Sequence, residues 1–251
     1  MAWNRRDGSP YRVRNLLAAL DARGIDQPAP VADAVAVLDR IEDDKPAEPE
    51  QLALHDAIVA GATPDELNAV VLAELGSHRI RTAFEQARLT AAVDVLRAVL
   101  DSRHEIHEHL AAQAAGLIEK LEAIAALDDA KLDTLIREGR HDDARLLADK
   151  EIVGQELSEL HQLRDLYLTP PGVEVRPSGV DCTIWVDPRK APHLHGDTRA
   201  DVFLDGIRKG AQLHYPSAEQ AAEAAAPIAR RMAQEAQERK ESQHGLGFLA
   251  V

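Results

Sequence analysis

The sequence predicts a mainly α protein with short N-terminal helices, a long α-helical hairpin or coiled coil, and a small C-terminal α+β module. Apolar residues recur every three or four positions over most of the chain, which is the spacing of one helix face. The hydrophobic fraction is 45%, yet only 3% of the residues are aromatic. A core made largely of Ala, Leu and Val suits closely packed helices.

The N-terminal region, residues 1–75, predicts several short helices. The segment "YRVRNLLAALDARG" has Leu16, Leu17 and Leu20 at helical spacing and ends at Gly24. Pro-containing breaks separate it from "VADAVAVLDRIED" and "EPEQLALHDAIVAG", which predict two further helices. The next segment, "TPDE", begins at Thr63 and predicts an N-cap followed by Pro at the first helical position.

The central region, residues 76–168, predicts the long helical hairpin. Residues 77–127 contain no Pro and a single Gly, Gly116. A helix of about 50 residues is therefore expected. Its apolar phase slips between Leu100 and Ile106, which indicates a coiled coil with a discontinuity. A second helix after Gly139 completes the hairpin. The sequence leaves open whether the long helix continues through Arg103 and Gly116.

The C-terminal region, residues 169–241, predicts two to four strands and one helix. The segments "VEVRPSGVDCTIWVDP" and "ADVFLDGIRKGAQLHYP" show alternation or flank a Gly-containing turn, which is typical of strands. Ser217 then caps a helix that contains Pro227. An apolar tail, residues 242–251, follows this module.

Charge and composition restrict the partners. The chain has 29 basic and 43 acidic residues, giving a formal net charge of −14, so phosphate backbones and anionic membranes are disfavoured as partners. No apolar run approaches the roughly 20 residues of a membrane span. The single cysteine, Cys182, excludes an intramolecular disulfide. We therefore expect a cytoplasmic protein with no cofactor.

The hairpin predicts self-association. A short partner helix cannot cover both ends of a helix about 75 Å long, and uncovered apolar seam is usually buried by a second copy. The expected partners are further copies of this chain and another protein of a larger assembly, with Phe248 and Leu249 docking the tail. The residues predicted for the oligomer seam are Leu96, Leu100, Ile106, Leu110, Leu117 and Leu121.

One alternative prediction is a DNA-associated accessory or regulatory protein, acting in packaging or recombination. Four arginines near the start of the chain would form a nucleic-acid arm, and the coil would dimerise the protein. These residues are Arg5, Arg6, Arg12 and Arg14. So short a basic segment neutralises only about four phosphates.

A second alternative is a metal-dependent enzyme. In "HEIHEHL" the residues His104, His107 and Glu108 share one helix face at i, i+3 and i+4. The register does not fit a His-Glu-x-x-His zinc helix, because Glu108 stands where the second histidine belongs. His193 and His195 form a further His-x-His pair. The competing interpretation is a solvated polar helix face and an ordinary turn.

The first half of the chain also resembles a group of phage proteins. The run "LLAALDARGIDQPAPVADAVAVLDRIED", then "ALHDAIVAGATPDELNAVVLAE" and a long Ala-rich coil, is similar to helical proteins encoded in structural-gene regions of actinobacterial phages and prophages. The resemblance covers residues 13–165 and is one of pattern. It implies a structural or assembly role, with a virion-associated location. Together these observations predict a non-enzymatic coiled-coil assembly or scaffold-like protein.

Overall fold

A computed structural model of the chain describes residues 9–47, 53–127, 130–173, 175, 182–190 and 196–247. The chain divides into two compact units between Ser102 and Arg103. The first unit contains α1 (Pro10–Asp21), α2 (Ala29–Asp43), α3 (Ala53–Val59) and α4 (Pro64–Asp101). The second unit contains α5 (Arg103–Ala126), α6 (Leu132–Arg137), α7 (His141–Ala148), α8 (Lys150–Leu163), α9 (Arg199–Arg208) and α10 (Ala218–Gly247).

The predicted helices of the N-terminal region are confirmed. Ser9 caps α1 by accepting a hydrogen bond from the Arg12 amide, and Gly24 takes a positive φ of 64° just after the helix ends. Thr63 caps α4 together with Glu66 in a reciprocal capping box, and Pro64 stands at the first position.

The core of the first unit lies between α1, α2 and the C-terminal half of α4. Leu16, Leu20, Val31, Leu38 and Leu96 are all buried there. By contrast, no residue from 53 to 90 is buried, although α3 packs on α4. We call residues 53–90 the α3–α4 segment. It is helical over almost its whole length without contributing to a core.

The long predicted helix is divided at one residue. The helix α4 runs for 38 residues to Asp101, Ser102 leaves helical geometry with a ψ of 10°, and α5 begins at Arg103. The break falls where the apolar phase slips, whereas Gly116 lies inside α5 and does not interrupt it. A local change of phase therefore ended the helix, because one straight helix cannot keep both apolar stripes on a single face.

The second unit packs α5 against α8 and α9. Ile106, Leu110, Leu121 and Leu157 have no exposed surface. The helices α8 and α9 approach closely at Gly154, where a Cβ atom would lie only 2.6 Å from the Cα of Ala200. A glycine is required at this crossing by space alone, since the backbones are in contact.

The prediction of a C-terminal α+β module is wrong. The segment expected to form two strands is instead the helix α9, followed by an extended stretch. In the described part of the chain the only strand-like pairing is one antiparallel bridge between Trp185 and Leu213. Most of "VEVRPSGVDC" lies outside the described residues.

Two local signals explain why this segment is helical. The Thr198 hydroxyl accepts a hydrogen bond from the Asp201 amide at 3.2 Å, which caps the helix start. Ala200, Phe203 and Leu204 are buried at i, i+3 and i+4. Gly210, with a φ of 81°, then reverses the chain.

At the end of α8 the helix widens into a π-helical turn, Arg164–Leu168. A π-turn adds one residue to the helical repeat. Leu168 is therefore buried in place of Tyr167, which the α-helical spacing after Leu163 would have turned inward. Arg164, the first residue of this turn, is buried in phase with Leu160 of α8.

Ser217 caps α10 as predicted, accepting from the Gln220 amide at 3.2 Å. Pro227 lies inside this 30-residue helix. Within the described residues, no helix combines the length and apolar character needed to cross a membrane.

Two helix glycines give a matched test of packing in the second unit. A Cβ on Gly206 of α9 would lie 2.2 Å from the buried Trp185 ring, whereas a Cβ on Gly116 of α5 would meet nothing within 4 Å. We expect Gly206→Ala to lower the free energy of unfolding by about 1–3 kcal/mol through overpacking. Gly116→Ala should raise it by about 0.5–1 kcal/mol through helix propensity. Urea unfolding followed by circular dichroism measures both, and equal effects would contradict the packing.

Candidate functional site

A buried arginine forms the polar centre of the second unit. Arg164 has 1% of its surface exposed, and its Nη1 donates to the Thr183 carbonyl at 2.9 Å and to the Pro216 carbonyl at 3.4 Å. Its Nε and Nη2 both donate to Asp165 Oδ1, at 3.0 and 2.7 Å. The guanidinium therefore joins the π-turn to two segments that are distant in sequence.

Tyr215 packs beneath this arginine. The Arg164 Cζ atom lies 4.9 Å from the centre of the Tyr215 ring, within the range of a cation–π contact. The Tyr215 hydroxyl donates to the Leu160 carbonyl at 2.8 Å. His107 stacks on the same ring at 5.4 Å, and His161 tilts against it at 5.1 Å. We call these residues, Arg164, Tyr215, His107 and His161, the Arg164 cluster.

An ion pair borders the cluster. Arg103 Nε, in the first turn of α5, donates to Glu219 Oε1, in the first turn of α10, at 2.7 Å. Burial is the largest single influence and raises the pKa of Glu219, but the hydrogen bonds from Arg103, from its own amide and from Ser217, with the charge of Arg103, together outweigh it, so the pKa lies below its ordinary value. The helix start also favours an acidic residue. Glu219 is thus held ionised beside the cluster.

His107 is the member of the cluster with a shifted pKa. Burial lowers the pKa of its imidazole below 6.5, and the positive charge of Arg164 lowers it further. The carbonyls of Pro216 and Tyr215 and the charge of Glu219 act in the opposite direction but do not compensate. The imidazole is therefore neutral at pH 7.

The cluster's hydrogen bonds serve the fold. Arg164 and Tyr215 donate to backbone carbonyls, and His214 Nε2 contacts the carbonyl oxygen of the buried Cys182 at 3.1 Å. These backbone carbonyls give the buried side-chain donors the acceptors that they require. This arrangement ties the 182–185 and 214–216 segments to α8.

The residues of "HEIHEHL" separate into an inner and an outer set. Ile106 and Leu110 are buried and His107 stacks on Tyr215, while His104 and Glu108 are exposed. In the described part of the chain, no group of three or more His, Cys, Asp or Glu side chains is placed to hold a metal. His193 and His195 lie outside the described residues.

The six residues predicted for the oligomer seam lie inside the chain. Each has at most 8% of its surface exposed, in the first unit for Leu96 and Leu100 and in the second for Ile106, Leu110, Leu117 and Leu121. Their role between copies stays a prediction. Within one copy they form part of the core.

The structure describes two of the four arginines predicted to form a nucleic-acid arm, Arg12 and Arg14. Arg14 pairs with Asp39 and with Glu42, the latter at 2.6 Å, and the hydrogen bond that Arg14 donates to Glu42 raises the pKa of the guanidinium. Its charge is therefore neutralised within the chain. Arg12 lies in the first turn of α1. Arg5 and Arg6, and the tail residues Phe248 and Leu249, fall outside the described residues.

A second candidate site is the exposed apolar surface of the α3–α4 segment. Leu72 is 69% exposed, Leu75 57% and Ile80 60%, and in α3 both Ile58 and Val59 are exposed. Scattered exposed apolar residues are normal, but a helical segment of this length with none buried is not. Sequence reasoning missed this surface because it assigned the partner-facing stripe to residues beyond Leu96.

Sequence reasoning also missed the Arg164 cluster, although one signal marks it. Arg164 lies four residues after Leu160 and four before Leu168, in phase with the buried stripe of α8. A charged residue in a buried phase indicates a paired interior group.

Comparison with protein-family models, curated proteins and solved structures finds no significant match to this chain.

The lowered pKa of His107 predicts a loss of stability in acid. Between the folded-state pKa and the ordinary value of about 6.5, the unfolded chain binds a proton that the folded chain does not. The free energy of unfolding should therefore fall as the pH drops below about 6.5. In His107→Gln this slope should be smaller, whereas the exposed His104→Gln should keep it. Urea unfolding at a series of pH values measures both variants, and an unchanged slope in His107→Gln would refute the assignment.

Removing the buried guanidinium should destabilise the second unit. Arg164→Met keeps an apolar stem but leaves Asp165 and two carbonyls without their donor, so we expect a loss of about 3 kcal/mol. The control is Arg231→Met, which removes an exposed i,i+4 pair with Glu235 and should change stability by less than about 0.5 kcal/mol. Thermal or urea unfolding distinguishes them. Equal, small effects would show that Arg164 is dispensable.

Proposed function

We propose that the chain is a non-enzymatic assembly protein that self-associates through the α3–α4 segment. One observation carries the proposal: 38 consecutive residues, 53–90, contain helices but no buried residue. Short isolated helices are marginal in water, and helical stability normally comes from packing an apolar face. Packing of this segment against another copy supplies the buried apolar contacts that it lacks within one chain.

The Arg164 cluster supports a non-enzymatic role. The Arg164 guanidinium and the Tyr215 hydroxyl bond to backbone carbonyls within the second unit, so these two groups hold the fold together. The homo-oligomer and the virion-associated assembly that the sequence predicts are both forms of this proposed assembly role. The proposed association surface is the α3–α4 segment and not the seam that the sequence predicts, because the six seam residues are already buried within one chain.

The mass of the protein in solution tests this function. We expect multi-angle light scattering to give a mass above the 27.4 kDa of one chain, rising with concentration or stable at an oligomer. A mass of one chain throughout a series up to high micromolar concentration would contradict the proposal.

A matched pair of variants places the association surface. Ile80 in α4 is 60% exposed and Ile152 in α8 is 59% exposed, so a charge at either position leaves both cores intact. We expect Ile80→Asp to lower the oligomeric mass, because it puts an unpaired charge into the interface. Ile152→Asp should leave the mass unchanged. If only Ile152→Asp dissociated the oligomer, the surface would lie in the second unit instead.

A further inference from the structure

One side of α4 is apolar and uncovered along the α3–α4 segment. The half-buried residues Val70, Glu74 and Phe84 lie on a different side of the helix. At about 100° per residue, seven small or apolar residues fall within one arc of about 100°; Gly76 is half-buried and the other six are exposed, while the exposed Val71 and Leu75 lie outside this arc. We call these seven residues the apolar face of α4: Ala69, Leu72, Ala73, Gly76, Ile80, Ala83 and Ala87.

The spacing of this face fits a second helix. From Ala69 to Ala87 its members, apart from Leu72, follow one another at alternating intervals of four and three, which is the spacing of a coiled-coil seam. Gly76 lies near the middle, where a Cβ would meet nothing within 4 Å in this chain. No described residue lies close enough to require a glycine there. Glycine weakens a helix interior, and its lack of a side chain permits close approach of another backbone.

Charge identifies which helix fits. The first part of α4, residues 64–76, has three acids, Asp65, Glu66 and Glu74, and no Lys or Arg. The next part, residues 77–90, has three arginines, Arg79, Arg81 and Arg88, and one acid, Glu85, which pairs with Arg88 at 3.3 Å. A second copy of α4 running antiparallel sets the acidic part of each against the basic part of the other. A parallel copy sets like charges together, which costs free energy.

We propose that the apolar face of α4 pairs with the same face of a second copy in antiparallel orientation, centred near His78. In this arrangement Ile80 of each copy packs over Gly76 of the other, and Ala69 lies opposite Ala87. The two faces are identical, so the contact is self-complementary and closes as a two-fold pair. This inference rests on the proposed self-association and adds its face and orientation.

Cross-linking of full-length variants tests the orientation. Ala69→Cys and Ala87→Cys are both at exposed positions, and the natural Cys182 is buried, so the unsubstituted chain under the same oxidant gives the background. The two variants, one with an affinity tag, are mixed and allowed to exchange before oxidation. Disulfides need Cα atoms within about 7 Å, so a short bis-maleimide is used in parallel.

In the antiparallel pair the product joins Ala69→Cys to Ala87→Cys, and neither variant alone is cross-linked above background. Efficient cross-linking of each variant to itself would show a parallel pair. No product from any combination, in a sample that light scattering shows to be oligomeric, would place the interface elsewhere. Both results overturn this inference and leave self-association standing, whereas a monomer at all concentrations overturns both.

Charge reversal gives an independent readout of the same arrangement. Arg79→Glu with Arg81→Glu sets acid against acid in the antiparallel pair, so we expect the dissociation constant at low salt to rise by about tenfold or more. In a parallel pair this change replaces one like-charge contact with another. An unchanged dissociation constant would therefore overturn the antiparallel arrangement.

Discussion

The second unit depends on one buried cation. Arg164 is the first residue of a π-turn, in phase with the buried stripe of α8, and its side chain is buried. Once it is inside, its five N–H groups require acceptors, because an unpaired buried charge is strongly unfavourable. Asp165 supplies one acceptor, and the carbonyls of Thr183 and Pro216 supply the others. This requirement acts together with the backbone hydrogen bonds from Val186 to Gln212 and from His214 to Ile184 to hold the irregular segments around Trp185 and Tyr215.

The same constraint organises the aromatic packing. Tyr215 lies between the guanidinium and two histidines, and its hydroxyl returns to the Leu160 carbonyl on α8. Burial keeps the pKa of His107 low, so the imidazole stacks as a neutral ring beside a permanent positive charge. The Arg164 guanidinium and the Tyr215 hydroxyl have internal acceptors, and such bonds rigidify a unit. The buried Nε2 of His107, by contrast, has no hydrogen-bond partner among the described residues.

The first unit presents the opposite situation. Its core stops at Ala91, and the helix that supplies that core continues N-terminally for 27 residues without a buried side chain. The Thr63 capping box stabilises the start of this helix by local hydrogen bonds. Its apolar face and its divided charge are the features on which the proposed pairing with a second copy rests.

The sequence by itself determined the helices whose caps and apolar spacing are local, including the Thr63 and Ser217 starts and the phase slip that ends α4 near Ser102. It did not determine whether the segment from Thr198 to Tyr215 is helical or extended. A short apolar run fits both the helical and the strand spacing, and the capping signal at Thr198 competes with the turn residues that follow. Only tertiary structure decided which stripe was internal. Leu110 and Leu117 are buried because α8 and α9 pack on α5, whereas Ile80 is exposed because nothing in its unit reaches it. Periodicity shows that a helix face is apolar, but whether that face is buried depends on which other elements pack against it.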